Sequence, residues 1–523
     1  MPVTGAYQLD SCEVKFLYIN ALLLTLFNLP TTLPPDFRPL HAARKDIMLF
    51  RNTWRGVLVL LYVCCVVAIP GAVPSSDDSF NTNWKAKDII TCDVVVIGGG
   101  ASGTYSTIRL RDMNQSVVLI EQKDRLGGHT ETFTDPTTQL KFDIGVRVWH
   151  DIDLVKNFFA RFDVPLTQAS FATPPGVVTD FVDFRTGALV PGFTPSDPTA
   201  ALGAYAAQIA QYPYLEAGFD LPDPVPADLL LPFGDFVTKY NLAAAVGTIS
   251  SFNQGIGDLL TTPTIYVIKL FGLSIIQGIQ TGFLATERHD NSEVYQKAQA
   301  LLSAANVLLL SSHVTATQRD SNDGYARLLV STPSGPKLVK AKKIMLTIPP
   351  TIQNLAHFDL DNTERSLFSQ FSTSGYYTAL IRNTGIPDNV IVENTGAHTL
   401  YNLPALPGIY GINPTGIPGL HNVLYGSPTS LPSDQVKRDI IEGLHRLKKA
   451  GTLPTTTPEF AVFSSHSPFE FTAPSSAIKG GFYKKLNGLQ GRRHMFYNGA
   501  AFHTHDSSML WQFTEALLPS VTA

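Results

Sequence analysis

The segment that most constrains the fold is DIITCDVVVIGGGASGTYSTIRLR, in which Gly98, Gly100 and Gly103 form the pattern G-x-G-x-x-G. The β-branched run before Gly98 predicts a strand of a parallel sheet buried on both faces, and a helix is predicted from Ala101. In such a turn the first glycine closes the strand, the second lets backbone approach a phosphate, and the third lets helix and strand pack closely. The segment therefore predicts an α/β dinucleotide-binding domain that begins near Ile89.

A second strand and an acidic residue follow the glycine turn. The run SVVLIE predicts a short buried strand, and it ends in Glu121, whose carboxylate can bind both hydroxyls of a ribose. Before it, the helix start at Ala101 and Ser102 presents unpaired N–H groups and a partial positive charge to a pyrophosphate. A glycine pattern alone is typical of an ordinary loop, whereas this whole order predicts a dinucleotide site. An acid at Glu121 disfavours the 2′-phosphate of NADP.

The composition excludes several other classes of protein. The chain has 523 residues, a formal net charge of −4 and only 16% charged residues, so it carries no basic track for nucleic acid. Of its four cysteines, three precede the predicted first strand and Cys92 lies at its start, which leaves no disulfide framework or zinc knuckle to build. Small-molecule chemistry is the favoured class of function.

A targeting segment explains why the glycine turn comes late in the chain. From Met48, two arginines, an apolar run from Val57 to Ile69 and the small residues Gly71 and Ala72 follow the order of a secretory signal peptide. The run is shorter than the about 20 residues of a transmembrane helix. We therefore expect cleavage near Ala72, no stable membrane span afterwards, and a product in the secretory pathway lumen or outside the cell. Membrane anchoring is the alternative.

The residues on either side of this signal peptide, which occupies residues 48–72, are predicted to lie outside the folded body. Residues 1–47 are interpreted as a non-native extension of the true start at Met48. If Met1 is the true start, a buried or interfacial N-terminal segment is the alternative. Residues 73–88 predict a short polar linker.

Two motifs that follow the ribose acid carry a family resemblance. EQKDRLGGHTETF places Arg125, Gly127 and Gly128 directly after Glu121, and KFDIGVRVWH then supplies a D-x-G pattern that ends at Gly145. The order of acid, R-x-G-G and D-x-G resembles the flavin-containing amine oxidase superfamily. Within it, the segments EQKDRLGGHTETFTDP, ARFDVPL and GAAFHTHDSSMLWQF are most similar to fungal FAD-dependent oxidoreductases of the β-cyclopiazonate dehydrogenase family.

The resemblance implies FAD as the cofactor and assigns it a set of binding residues. By that resemblance the three glycines of the turn meet the pyrophosphate, Glu121 meets the ribose, and the R-x-G-G turn with the adjacent His129 meets the phosphate and flavin side. SSHVTATQRD, around Val314, resembles the segment that reaches the adenine end. HMFYNGAAFHTHDSSMLW, with Gly499 and Ala500, resembles the closing strand and helix under the flavin ring.

These motifs are scattered along the chain, so the FAD domain is expected to be discontinuous. We predict an α/β, Rossmann-like FAD-binding domain with an inserted α+β substrate domain, an amine-oxidase-like arrangement. The FAD domain is assigned residues 89–165, 282–358 and 464–523, and the substrate domain residues 166–281 and 359–463. The insertions are rich in proline, glycine and aromatic residues, and we interpret them as walls and lid of an apolar pocket, with a plain hydrophobic core as the alternative.

Candidate catalytic groups lie near the last helix. Asp506 is placed to cap that helix, whose positive end would then face the pyrimidine side of the flavin. In FHTHD, His503 and His505 are candidate proton acceptors beside the flavin, with satisfied structural histidines as the alternative. No metal site is predicted, because two imidazoles without a nearby third ligand do not hold a metal.

The chain also departs from the amine oxidase pattern. Ala501 stands where an acid is usual, and Met509 falls where an aromatic of the substrate cage is expected, which weakens the case for a simple primary amine substrate. The superfamily's lysine near flavin N5 has only unaligned candidates, Lys269 and Lys297. A covalent flavin link through cysteine is excluded by the position of Cys92, whereas a histidyl link is not.

The sequence thus predicts an FAD-dependent oxidoreductase. A hydride would pass from a C–H or C–N position of an apolar small molecule, such as a specialised metabolite, to flavin N5, and molecular oxygen or another acceptor would reoxidise the flavin. The alternatives are an isomerase that uses flavin without net oxidation and a flavin-binding protein without catalysis.

Overall fold

The glycine turn lies in a mixed α/β architecture, seen in a computed structural model that describes Phe80, residues 83–321 and residues 323–523. Its strands are β1 (Ile89–Ile97), β2 (Val117–Ile120), β3 (Thr132–Thr134), β4 (Lys141–Asp143), β5 (Trp149–His150), β6 (Leu166–Gln168), β7 (Val178–Asp183), β8 (Ala188–Leu189), β9 (Phe283–Thr286), β10 (Leu308–Leu309), β11 (His313–Gln318), β12 (Ala326–Ser331), β13 (Lys337–Leu346), β14 (Ser372–Thr373), β15 (Gly375–Arg382), β16 (Val390–Asn394), β17 (Gly408–Pro414), β18 (Leu420–Ser427), β19 (Glu459–Ser465), β20 (Phe471–Thr472) and β21 (Met495–Tyr497). Its α-helices are α1 (Ala101–Asp112), α2 (Asp153–Arg161), α3 (Thr199–Ile209), α4 (Phe233–Tyr240), α5 (Val246–Phe252), α6 (Thr264–Leu270), α7 (Leu273–Thr281), α8 (Ser292–Ala304), α9 (Asn362–Phe368), α10 (Ser433–Lys449), α11 (Ser475–Lys479), α12 (Phe482–Asn487) and α13 (Ser507–Thr522).

The first sheet brings distant segments together around β1. Its strand order is β10-β2-β1-β13-β12-β11, and β21 also pairs with β13. The pairs β1–β2, β1–β13 and β13–β21 are parallel, so the carboxyl ends of these four strands lie at one edge. The last four residues of β1 are buried, as expected for a strand covered on both faces. Helices α1 and α13 lie in contact beside this sheet.

The second sheet has the order β19-β15-β18-β17-β16-β7-β8 and is antiparallel except for the β16–β7 pair. One of its faces packs against α10 through an apolar cluster that includes Tyr377, Val423 and Leu444. The strands come from the two insertions, residues 166–281 and 359–463, except that β19 extends two residues beyond the second. The exact domain boundaries stay a prediction.

The helical part of the first insertion is mainly core. Phe219, Phe233 and Phe236 are each at most 4% exposed and belong to the largest apolar cluster of the described residues. The composition that we interpreted as pocket wall and lid is therefore explained, for these side chains, by ordinary core packing. A smaller sheet has the strand order β5-β9-β6, and its middle strand, β9, directly precedes α8.

The described residues belong to one compact unit, Ser76–Ala523. The predicted extension at residues 1–47 and signal peptide at residues 48–72 lie outside the described residues, as does most of the predicted linker. Among the described residues, one apolar stretch, Thr264–Thr281, has the length and composition of a membrane span. It consists of α6 and α7, separated by two residues, and half of it is buried within the fold.

Candidate cofactor and active site

The turn between β1 and α1 has the geometry of an anion-binding site. Gly98 has a φ of +105°, which L side chains rarely adopt. A Cβ on Gly103 would lie 1.8 Å from the carbonyl oxygen of Gly98, so only glycine lets the helix approach the strand this closely. Gly100 caps α1 without a side-chain hydrogen bond, and a Cβ there would meet only Gly128, at 3.9 Å. The first N–H groups of α1 are therefore free to bind an anion.

A cavity, which we call the cofactor cavity, extends from this turn across the carboxyl ends of the parallel strands. It joins the glycine turn to the segment after β13 and the segment after β21. The predicted site residues that line it are Gly98, Gly100, Ala101, Ser102, Glu121, Gly127, Gly128, His129, Gly499, Ala500 and His505. It is also lined by Ile348, Pro349, Pro350, Pro468, Phe471, Tyr497, Phe502, Ser507 and Leu510, among others.

Five predicted site residues are not among those that line this cavity: Gly103, Arg125, Val314, His503 and Asp506. Gly103 acts through packing. The Arg125 guanidinium donates to the carbonyl oxygens of Leu126, Gly128 and Thr130 at 3.2–3.3 Å, so it supports the R-x-G-G turn from behind. Val314 is buried in β11. Direct cofactor contacts by these residues stay predictions.

Glu121 is anchored by the backbone at the end of β2. Its Oε2 accepts from the N–H of Gly99 at 2.5 Å, and its Oε1 accepts from the N–H of Lys123 at 2.7 Å. The residue is 7% exposed and lines the cavity. Each carboxylate oxygen has further lone-pair capacity, so the group can accept from two ribose hydroxyls while it keeps its backbone bonds.

The amino end of α13 is capped as the sequence predicts, and it contacts the cavity through Ser507 and Leu510. The Asp506 carboxylate accepts from the N–H of Met509 at 3.0 Å and lies 3.0 Å from Nε2 of His150. Burial lowers the pKa of His150, but the Asp506 carboxylate outweighs this effect and the net pKa is raised. Burial raises the pKa of Asp506, but His150 and the backbone donors bring it below its ordinary value.

The His150–Asp506 pair predicts a pH-dependent stability. The raised pKa of His150 gives stabilisation below its ordinary value of 6.5 that is lost as pH rises, and the lowered pKa of Asp506 gives stabilisation above its ordinary value of 3.8 that is lost as pH falls. We expect His150→Gln to lower the free energy of unfolding by about 1–3 kcal/mol at pH 5.5 and by less at pH 8.5. Denaturant unfolding at both pH values measures this. His445→Gln, at an exposed position on α10, is the control, and an equal loss at both pH values would contradict the expectation.

His505 faces the cavity and a buried acid that the sequence analysis missed. Its ring stacks on Phe469 with centroids 4.0 Å apart, and its Nε2 lies 3.4 Å from Oε2 of Glu470. Burial lowers the pKa of His505 to about 3 and raises the pKa of Glu470 to about 8. His466, also missed, stacks on His129 at 4.4 Å. The one feature of the sequence that points to Glu470 as a site residue is that it is the single acid of an apolar segment, SPFEFTAP.

The other candidate histidine, His503, is bound to a buried lysine. Its Nδ1 lies 3.0 Å from Nζ of Lys269, which also donates to the carbonyl oxygen of Leu215. Burial lowers the pKa of Lys269 to about 7 and that of His503 well below its ordinary value. Lys297, by contrast, is a partly exposed residue paired with Glu293. Of the two lysine candidates, only Lys269 lies near the predicted histidines.

Two further predicted features have clear positions. Met509 lines a second cavity, of about 470 Å³, together with His150 and His503, rather than the cofactor cavity. Cys92 is buried in β1, where burial raises the pKa of its thiol to about 12. Within the part of the chain that the structure describes, no group of three or more His, Cys, Asp or Glu residues is placed to hold a metal.

Comparisons with known proteins connect this site to a family. Residues 96–162 match the NAD(P)-binding Rossmann-like domain. The chain is 40% identical over 477 residues, 88% of its length, to the FAD-dependent oxidoreductase oblC of Cochliobolus heterostrophus, of which 98% is covered. It is 34% identical over 442 residues to the β-cyclopiazonate dehydrogenase of Aspergillus oryzae, with 84% and 94% coverage of the two chains.

The chain belongs to the family of fungal FAD-dependent oxidoreductases. Its cofactor is therefore FAD, and the alternative of a flavin-binding protein without catalysis is excluded. The sequence-based prediction of an FAD-dependent enzyme related to β-cyclopiazonate dehydrogenase is confirmed.

Solved structures confirm the predicted fold class of this FAD-dependent oxidoreductase. A fatty acid isomerase from P. acnes superposes with a TM-score of 0.65 at 17% identity, over 82% of this chain and 98% of the isomerase. Cyclohexylamine oxidase from Brevibacterium oxydans superposes with a TM-score of 0.55 at 14% identity, over 83% of this chain and all of the oxidase. The Rossmann-like, amine-oxidase-like architecture is shared with both, and at these identities the likeness concerns the fold alone.

The anchored position of Glu121 gives a prediction for FAD binding by the oxidoreductase. Glu121→Gln replaces one acceptor oxygen by an NH2 group, which cannot accept from a backbone N–H, and it removes the charge that strengthens the bond to a ribose hydroxyl. Hydrogen bonds to a charged group are worth about 1.5–3 kcal/mol, so we expect the dissociation constant of FAD to rise at least about tenfold. Titration of the apoenzyme with FAD measures this.

The matched control is Glu131→Gln, which removes a carboxylate that pairs with Arg125 and Lys123 and is not among the residues that line the cavity. Its FAD affinity should change much less than that of the Glu121→Gln enzyme. Equal FAD affinity of wild type and Glu121→Gln would contradict a ribose contact by Glu121.

Proposed function

We propose that this oxidoreductase removes a hydride from a C–H or C–N position of an apolar small molecule of fungal specialised metabolism. The acceptor is N5 of FAD, and molecular oxygen or another acceptor then takes up the electrons. The observation that carries this proposal is the cofactor cavity, which is lined both by the glycine turn and by three apolar residues, Pro468, Phe471 and Phe502. The names of the fungal relatives support the cofactor and the reaction class.

The residues of this chain fit the cofactor in stated roles. The cradle at Gly98, Gly100 and Gly103 would hold the pyrophosphate against the start of α1, and Glu121 would hold the ribose. The positive end of the α13 dipole, reached through Ser507, would stabilise negative charge on the part of the cofactor beside it. FAD, when bound, supplies the two-electron acceptor.

Substrate binding is assigned to the apolar residues that line the same cavity. Phe471, Phe502 and Pro468 offer apolar surface, and the neighbouring His505 is neutral near pH 7 because its pKa is lowered. Apolar walls with few polar groups favour an apolar substrate held mainly by burial. The Met509 position in a separate cavity gives no support to an aromatic cage for a primary amine.

The test is an anaerobic reduction experiment on the FAD-loaded enzyme. The protein expressed from Met48 is mixed with amines, indole derivatives and unsaturated acids while the flavin absorbance is recorded. Bleaching by one compound, with an oxidised product, supports the proposal and identifies the substrate class. A rearranged product without net bleaching would replace the oxidation by the isomerase alternative.

We also propose that the enzyme enters the secretory pathway through residues 48–72. The support is the order of arginines, apolar run and small residues in that segment. Expression from Met48 in a fungal host, followed by N-terminal sequencing of the secreted protein, tests this. A mature N-terminus near Ala72 supports the proposal, and a protein retained in the cytosol with Met48 or its neighbour at the N-terminus would refute it.

A further inference from the structure

Glu470 and His505 lie in contact inside the fold, and the two atoms nearest each other have no hydrogen-bond partner in the described part of the chain. Glu470 lies just before β20 and is 6% exposed. Its Oε2 and the Nε2 of His505 are 3.4 Å apart, and neither atom has a hydrogen-bond partner among the described residues. Buried polar atoms are usually paired, so two unpaired atoms beside the cofactor cavity require an explanation. The His505 ring at the same time lines the cofactor cavity.

The two side chains together hold one proton near neutral pH. Burial raises the pKa of Glu470 to about 8, although the Lys269 ammonium opposes this. Burial also lowers the pKa of His505 to about 3, and the neighbouring His129 acts in the same direction. Between these values the proton resides on Glu470 and His505 is unprotonated. The pair is then uncharged.

Other titratable groups face this pair. Lys269, Tyr266 and Tyr483 face Glu470 from α6 and α12, and His129 and His466 face His505 from the other side. Burial raises the pKa of both tyrosines and lowers that of both histidines, so all four are neutral near pH 7. Apart from Glu470, Lys269 is the one member of this set whose pKa lies near neutral pH.

We propose that Glu470, in contact with the cavity-lining His505, takes up a proton that offsets negative charge gained by FAD on reduction. The proton comes from solvent and forms an O–H bond at the ionised carboxylate of Glu470. No electrons move in this step, and the charge of Glu470 changes by +1. The inference depends on bound FAD but on no particular substrate. It can therefore fail while the proposed hydride transfer holds, and the hydride transfer can fail while this inference holds.

The pair has a measurable consequence for the coupling of protons to electrons. Above pH 8 the oxidised enzyme has lost the proton of the pair, because Glu470 has deprotonated. Negative charge on the cofactor raises the affinity of the pair for that proton, so reduction takes up one proton more above pH 8 than below it. Each pH unit above 8 then changes the ratio of reduced to oxidised FAD, at fixed potential, by an additional factor of about ten. For a two-electron couple this equals an additional shift of about 30 mV in the midpoint potential per pH unit.

The experiment is a spectroelectrochemical titration of the FAD-loaded enzyme, from pH 6.5 to 9.5, with chemical mediators and no substrate. Wild type is expected to show the additional slope above pH 8, and Glu470→Gln is expected to lack it. The matched control is Glu393→Gln on β16, where burial raises the pKa of the carboxyl to about 7 and the side chain is not among those that line the cavity. This control should keep the slope of the wild type.

Two outcomes would overturn the proposal. An additional slope that persists in Glu470→Gln would assign the proton to Lys269, the other group that titrates in this range. The second outcome is a wild-type slope that stays the same from pH 6.5 to 9.5, which shows that no additional proton is taken up. This measurement on wild type decides the question even if Glu470→Gln does not retain FAD.

Discussion

Gly103→Ala is expected to prevent the chain from reaching its FAD-binding form. The new Cβ would lie 1.8 Å from the Gly98 carbonyl oxygen and 2.8 Å from Oγ1 of Thr347, and the first of these is a backbone atom at the end of β1. Relief requires α1 to move away from the sheet, which displaces the N–H groups predicted to bind the pyrophosphate. We expect a loss of about 3 kcal/mol or more of stability and little bound flavin. Thermal unfolding and the ratio of flavin to protein absorbance measure both effects.

Two other glycine substitutions separate packing from cofactor contact. Gly203→Ala, in α3 with no atom within 4 Å of the new Cβ, should be neutral or stabilising by about 0.5–1 kcal/mol. Gly100→Ala makes only an ordinary contact with Gly128, at 3.9 Å, so it should fold, but its methyl group would occupy the approach of the pyrophosphate and weaken FAD binding. A Gly103→Ala enzyme that unfolds at the wild-type temperature and holds one FAD would contradict the packing argument.

The parts of the site that the sequence predicted are those set by local chemistry. The glycine turn requires glycine within six consecutive residues, Glu121 is fixed by the end of its own strand, and Asp506 caps a helix that begins at the next residue. In each case the physical constraint acts over a few residues, so a pattern in one segment is sufficient. The same locality explains why the continuous apolar runs of β1 and β2 indicated a buried parallel sheet.

The parts that were missed depend on contacts between distant segments. Glu470 acquires its raised pKa from burial beside His505, and nothing within its own segment determines that neighbour. Asp506 was predicted as a cap, whereas its partner His150 is 356 residues away. The interpretation of the first insertion as pocket wall does not hold for its buried phenylalanines for a related reason. Composition does not distinguish a buried aromatic core from a binding surface.

A buried arginine gives the other large expected effect. Arg319 is fully buried, and its guanidinium donates to both carboxylate oxygens of Glu364, at 2.6 and 2.8 Å, and to Asp359 at 2.7 Å. Glu364 also accepts from the hydroxyl of Tyr497 at 2.7 Å. Tyr497 lines the cofactor cavity at the end of β21, so this network fixes the strand that leads to Gly499.

Arg319→Met is expected to cost up to about 3–5 kcal/mol, because Glu364, which is 2% exposed, loses its bidentate partner and keeps only Arg493 at 3.3 Å. Burial raises the pKa of Glu364, but Arg319 overcomes this effect and lowers it to about 2, so the stabilisation is present above the ordinary value of 4.5 and lost as pH falls towards 2. The stability difference between wild type and variant should therefore shrink in acid, which denaturant unfolding at pH 7 and pH 3 measures. Arg288→Met, which breaks an exposed pair with Glu293, should cost at most about 1 kcal/mol. If both variants lose the same small amount at pH 7, the Arg319 network is not what holds β21 in place, and the position of Tyr497 at the cavity must be fixed by packing alone.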